Sequence, residues 1–96
     1  MNAVAPTLNV IVGLGKTGLS VARYLHNLGL TFAVTDSRLQ PPGVDELQKF
    51  AANAPTEFGE ISSSLCANAS RIILSPGIAL SHPSLALARA QGVEII

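Results

Sequence analysis

Val10-Ile11-Val12-Gly13-Leu14-Gly15-Lys16-Thr17-Gly18-Leu19-Ser20 is an apolar, β-branched run that breaks into Gly-x-Gly-x-x-Gly and resumes at helical spacing. That order of residues predicts a buried strand turning sharply into a helix. The first backbone N–H groups of such a helix have no partner within it and suit a phosphate or diphosphate. In this pattern Gly13 permits the tight turn and Gly15 lets a diphosphate approach the backbone. Gly18 lets the helix pack closely on the sheet. A structural glycine turn explains the same residues, so the rest of the chain has to choose between the two.

Outward from this stretch the pattern alternates. Leu8–Val12 reads as a first strand, and Thr17 to Leu28 as a helix with Val21, Ala22, Leu25 and Leu28 on one face. Gly29 is a natural helix stop, and Leu30–Thr35 a second strand. The stretch from Asp36 to Gly43, with Pro41-Pro42-Gly43, is a loop. Val44 to Ala54 predicts an amphipathic helix, Thr56–Phe58 a short strand and Ser62 to Ala69 a short helix with Leu65, Cys66 and Ala69 inward. Arg71–Leu74 is a strand closed by Ser75-Pro76-Gly77. A last helix, capped by Ser81 with Pro83 in its first turn, runs to Gly92, and Val93–Ile96 begins a final strand.

Helix–Gly–strand thus occurs twice, which is the rhythm of βαβ units. Right-handed crossovers leave few topologies. The economical one is an α/β, Rossmann-like three-layer sandwich with a five-stranded, mainly parallel sheet in the order 3-2-1-4-5. Its switch point lies between strands 1 and 4, where ligands sit in such sheets.

Composition sets bounds on partners. The 96 residues make one domain, 48% hydrophobic and only 12% charged, with no net charge. No nucleic-acid footprint follows from that balance. So few charges imply a sheet covered on both faces, a former interface with further protein, or both. The chain stops at Ile96 inside a strand, so a fragment of a longer protein is expected. One cysteine excludes an internal disulfide, and Cys66 reads as a buried thiol. No apolar run is long enough for a membrane helix, so the expected location is the cytoplasm.

Three further signals bear on the ligand. Gly15-Lys16-Thr17 looks like the end of an ATP-binding loop, but the glycine required five residues earlier is Val10. Lys16 then points to solvent or adds a charge near a phosphate. Asp36 ends strand 2 at 36 − 15 = 21 residues past Gly15, against about 20 for the acid that grips ribose in dinucleotide folds. Its carboxylate can accept from a ribose hydroxyl or a ring N–H, or simply close an Asx-turn. Arg38 lies flat on a base or is solvated. Ser75-Pro76-Gly77-Ile78 faces the glycine loop across the switch point if the topology holds, although a plain turn explains it too. His26 and His82 have no metal partner at useful spacing and fit surface or capping roles. No catalytic residue pair and no metal cluster is identifiable.

Taken together, Gly13-Leu14-Gly15-Lys16-Thr17-Gly18-Leu19-Ser20, Asp36-Ser37-Arg38 with Pro41-Pro42-Gly43, and Ser75-Pro76-Gly77-Ile78 with His82-Pro83 resemble the N-terminal domain of the D-glutamate-adding Mur ligases of bacterial peptidoglycan synthesis. The resemblance runs through nearly the whole chain, in order. It implies binding of the UDP part of UDP-N-acetylmuramoyl-L-alanine rather than NAD. It places Gly15, Lys16, Thr17 and Gly18 at the diphosphate, Asp36, Ser37 and Arg38 at the uracil, and Ser75, Pro76 and Gly77 along the uridine. Position 37 is Ser where Thr is also familiar, and the hydroxyl is kept. The sibling that adds L-alanine differs after strand 4.

The resemblance also implies missing parts. ATP and magnesium belong to a central domain absent from these residues, and a C-terminal domain is absent too. In the whole enzyme ATP phosphorylates the substrate carboxylate and the D-glutamate amine attacks the acyl phosphate. This chain is therefore expected to be a monomer that binds UDP-sugar weakly and catalyses nothing. The alternative is an NAD(P)-binding Rossmann module of a dehydrogenase or nucleotide-sensing regulator.

Overall fold

The computed structural model describes residues 7–96. Nine elements follow in order: β1 (Asn9–Val12), α1 (Lys16–Asn27), β2 (Phe32–Asp36), α2 (Val44–Ala51), β3 (Thr56–Phe58), α3 (Ser63–Asn68), β4 (Arg71–Leu74), α4 (Pro83–Ala90) and β5 (Glu94–Ile95). The sheet order is β3-β2-β1-β4-β5 and every strand pair is parallel. The mainly parallel sheet and its order are as expected: all paired strands are parallel, and one isolated antiparallel bridge joins Asp36 to Glu60 beyond them. The chain begins at the centre, winds outward to β3, then crosses to β4.

Alternation along β1 explains the three layers. Val10 and Val12 belong to one core with Ile61, Cys66, Ile72, Leu85 and Ala88, beneath α3 and α4. Ile11 points the other way, into a core with Leu14, Ala22, Leu25, Phe32, Val34 and Leu47, beneath α1 and α2. All four β1 residues are buried, as a central parallel strand covered on both faces requires. Two-sided cover does not reach the sheet edge. On the α1 side, Arg71 of β4 pairs with Glu94 of β5 at 2.7 Å. Ile96, alongside Ile73, stays 65% exposed there.

The repeated helix–Gly–strand signal corresponds to the same helix ending used twice. Gly29 (φ +73°) donates to the His26 carbonyl and Leu30 N–H to Leu25. Gly92 (φ +88°) donates to Arg89 and Val93 N–H to Ala88. Both pairs are Schellman closures. They also explain why β2 starts at Phe32 rather than Leu30, since the Leu30 N–H is spent closing the helix. Leu28, expected inward, is exposed because α1 turns Gly18, Ala22 and Leu25 to the core.

β1, α1, α3 and β5 differ from expectation by one residue at one or both ends, and two boundaries move for a visible reason. α2 stops at Ala51, short of Ala54, since the residue before Pro55 is disfavoured in helical geometry. α4 is capped by His82, not Ser81: the His82 ring accepts from Ser84 N–H through Nδ1 at 3.2 Å. β3 and β4 lie where the sequence puts them.

Gly18 fixes the helix on the sheet. A Cβ built there falls 2.0 Å from the Gly13 carbonyl oxygen, a backbone atom that cannot swing aside. Gly18→Ala is therefore expected to destabilise the fold by about 2–3 kcal/mol or more, read as a lowered urea midpoint at unchanged slope. An unchanged midpoint would show that α1 does not need this contact.

Candidate functional site

Three loops meet at the carboxyl ends of β1, β2 and β4. The first leaves β1 through Gly13, whose φ of +98° favours glycine. Gly13 N–H donates to Thr35 of β2 at 2.8 Å, and its carbonyl accepts from Ser75 Oγ at 3.0 Å. The turn is thereby stitched to both neighbouring strands. A Cβ on Gly13 would meet Ser75 and Ile78 at under 3 Å. Glycine is thus required at 13 by the protein's own packing.

Gly15 is different. Its φ is an ordinary −92°, and a Cβ there meets nothing within 4 Å. It is the N-cap of α1, yet no side chain caps the helix and the first turn holds no acid. The other helices are provided for. Ser62 caps α3 by accepting from Leu65 N–H at 3.1 Å, His82 caps α4, and α2 carries Asp45 and Glu46 in its first turn. Lys16 and Thr17, both exposed, carry the opening N–H groups of α1 at the positive end of its helix dipole.

The second loop starts at Asp36, which is 2% exposed. One carboxylate oxygen accepts from Arg38 N–H at 2.8 Å and Arg38 Nε at 2.9 Å. The other accepts from Leu14 N–H at 2.7 Å and from the Arg38 guanidinium at 2.8 Å. Burial pushes this carboxyl up. The Arg38 side chain and the Leu14 and Arg38 N–H groups outweigh it and bring it to about 2. The third loop is Ser75-Pro76-Gly77-Ile78, with Gly77 at φ +93° and open space beside it.

A cleft of about 410 Å³ lies between these loops, a volume typical of small-ligand sites. Of the residues read from the sequence, Gly15, Lys16, Thr17, Asp36, Ser37, Arg38, Ser75, Pro76 and Gly77 line it. Gly18 does not, being buried on the Gly13 carbonyl. Gly13 and Ile78 complete the lining. Reasoning from sequence missed two supports. The buried Thr35 hydroxyl accepts from Ser62 N–H at 2.8 Å and lies 2.8 Å from the Glu57 carbonyl. Ser75 Oγ holds the glycine turn rather than facing only the cleft.

The other candidates lie away from the cleft. His26 packs edge-on against Phe50, and His82 is a helix cap. Cys66 is buried, and that burial pushes its thiol up. Among the described residues no helix is long and apolar enough to cross a membrane.

Fold and cleft define an open, doubly wound α/β domain with a glycine-rich loop at its switch point. Comparison with known proteins narrows that class. Residues 7–96 match the family described as Mur ligase MurD-like, N-terminal domain, and the chain belongs to it. Two similar relatives are the UDP-N-acetylmuramoylalanine–D-glutamate ligases of Marinobacter nauticus and Nitrosococcus oceani. Each is 46% identical, over 92 and 88 residues, covering 96% and 92% of this chain. The enzyme of that name from Pseudomonas fluorescens is 40% identical over 86 residues. The chain spans about a fifth of these relatives' length.

The Asp36 cluster predicts a pH dependence with a definite sign. Its carboxyl is held at about 2 when folded, against an ordinary 3.8. The stabilisation is therefore complete above about pH 4 and is lost as pH falls toward 2. Asp36→Asn is expected to lower stability at pH 7 and to flatten the loss between pH 4 and 2, measured by urea unfolding at each pH. Parallel curves for the two proteins would contradict the ionised cluster.

Proposed function

We propose that this cleft holds the UDP end of UDP-N-acetylmuramoyl-L-alanine, as the substrate-binding part of a ligase that adds D-glutamate in peptidoglycan synthesis. One observation carries the reading: α1 opens into the cleft with an uncapped N-terminus, where its neighbours are capped or acid-stabilised. A diphosphate there accepts from the Lys16 and Thr17 N–H groups and meets the helix dipole. Thr17 Oγ1 and the Lys16 ammonium add a donor and a charge. Uracil lies beside Ser37 and Arg38, and Ser75 to Gly77 close over the uridine. The names of the relatives support the choice of substrate.

ATP and its magnesium do not fit this cleft. Val10, where an ATP loop needs glycine, is fully buried in mid-strand. Asp36, the carboxylate lining the cleft, is committed to Leu14 and Arg38. Activation of the substrate carboxylate and attack by the amine therefore belong to the rest of the full-length protein. The 96-residue chain positions one end of the substrate and catalyses no ligation.

Gly15→Asp separates folding from binding. The extended backbone at 15 suits an N-cap, so the new carboxylate caps α1 and raises stability by a few tenths to about 1 kcal/mol. It also occupies the phosphate donors with a negative charge. UDP affinity, measured by calorimetry, is expected to fall at least about tenfold while the urea midpoint rises. Unchanged UDP affinity in a stabilised variant would overturn the assignment.

A further inference from the structure

Asp36 stands where dinucleotide-binding folds keep the acid that accepts from a ribose. An ionised carboxylate offers about four lone-pair sites. Here each oxygen already receives two donors: Arg38 N–H and Nε on one, Leu14 N–H and the Arg38 guanidinium on the other. Three of the four come from Arg38, whose side chain is itself half-exposed and lines the cleft. A ribose diol arriving in the dinucleotide manner finds no free acceptor.

We propose that Arg38 is a specificity-determining residue: by forking onto Asp36 it closes the ribose-diol site and turns the cleft away from dinucleotides. The inference deepens the UDP reading and rests on it for the ligand that the cleft retains. With the fork in place, Asp36 acts indirectly, holding Leu14 in the glycine loop and fixing the guanidinium. The groups left facing a nucleotide at this end are the Ser37 hydroxyl and the outer edge of Arg38. Those donors suit the carbonyl oxygens of a pyrimidine better than they suit a diol. Truncation of the Arg38 side chain leaves the residue-38 N–H on one oxygen and Leu14 N–H on the other, so each oxygen regains one acceptor site for a bidentate contact.

The test titrates this chain with NADH, NADPH and UDP, as wild type, Arg38→Ala and the double variant Arg38→Ala/Asp36→Asn. Amide NMR dispersion checks the fold, and Arg38→Gln replaces Arg38→Ala if the latter unfolds. Arg38→Ala is expected to bind NADH about tenfold more tightly than wild type. The gain disappears in the double variant, which lacks the charged bidentate acceptor. NADPH gains nothing, because its 2′-phosphate replaces one hydroxyl and repels the carboxylate. Equal NADH affinity in wild type and Arg38→Ala, including no binding by either, would overturn the proposal. So would an equal gain for NADPH, which would mean that only bulk had been removed. Wild-type chain that binds no UDP would instead sink the UDP reading, a separate result from the NADH ratio.

Discussion

The contact between Gly18 and the Gly13 carbonyl governs the geometry of the whole site. It lets α1 lie closer to the β1 turn than any side chain at 18 permits. The first turn of α1 is thereby seated beside the β1 turn, with Lys16 and Thr17 lining the cleft. Gly13 in turn is tied to Thr35 on one side and Ser75 on the other. The loops that follow β2 and β4 are thus positioned by the same few atoms that seat the helix. A small movement at this point would displace all three walls of the cleft together.

Within that frame the chemistry divides by role. The glycine loop supplies uncompensated N–H groups and a positive helix end. The loop after β2 supplies an ion pair that is already satisfied, in which Asp36 serves the architecture and Arg38 presents the outward face. Surface ion pairs contribute little in general. This one differs because its carboxylate is buried and also receives a backbone N–H from the glycine loop. The cleft is accordingly rich in donors and poor in free acceptors, which favours a ligand bearing phosphates and carbonyl oxygens.

Much of this was legible in the residues. The continuous apolar run of β1, buried on both faces, and the two helix–Gly–strand steps were enough for the strand order, because right-handed crossovers leave little choice. The three glycines of the loop were assigned distinct tasks, and the structure assigns Gly13 and Gly18 the turn and the packing. The late start of β2 has a cause that residue type hides: the helix closure spends the N–H of the next residue, so Leu30 reads as strand but serves the helix. Ser81 is the commoner cap by residue type, and of the surface or capping roles open to His82 the structure shows the cap, its ring nitrogen accepting from Ser84 N–H. The fork of Arg38 onto Asp36 was not legible at all. Two residues apart in a loop, they meet only because β2 buries Asp36 while the chain curls back over it. The low charge content has a physical counterpart in Tyr24, Leu28 and Ile96, which remain exposed. The sheet edge at β4–β5 is covered on only one side.

A crystal structure of this chain with UDP tests the central claim most directly. The account predicts diphosphate oxygens within hydrogen-bond reach of the Lys16 and Thr17 backbone N–H groups, uracil beside Ser37, and the Arg38–Asp36 fork intact. A diphosphate bound away from the α1 N-terminus would contradict it, as would a ribose diol seated on the Asp36 carboxylate.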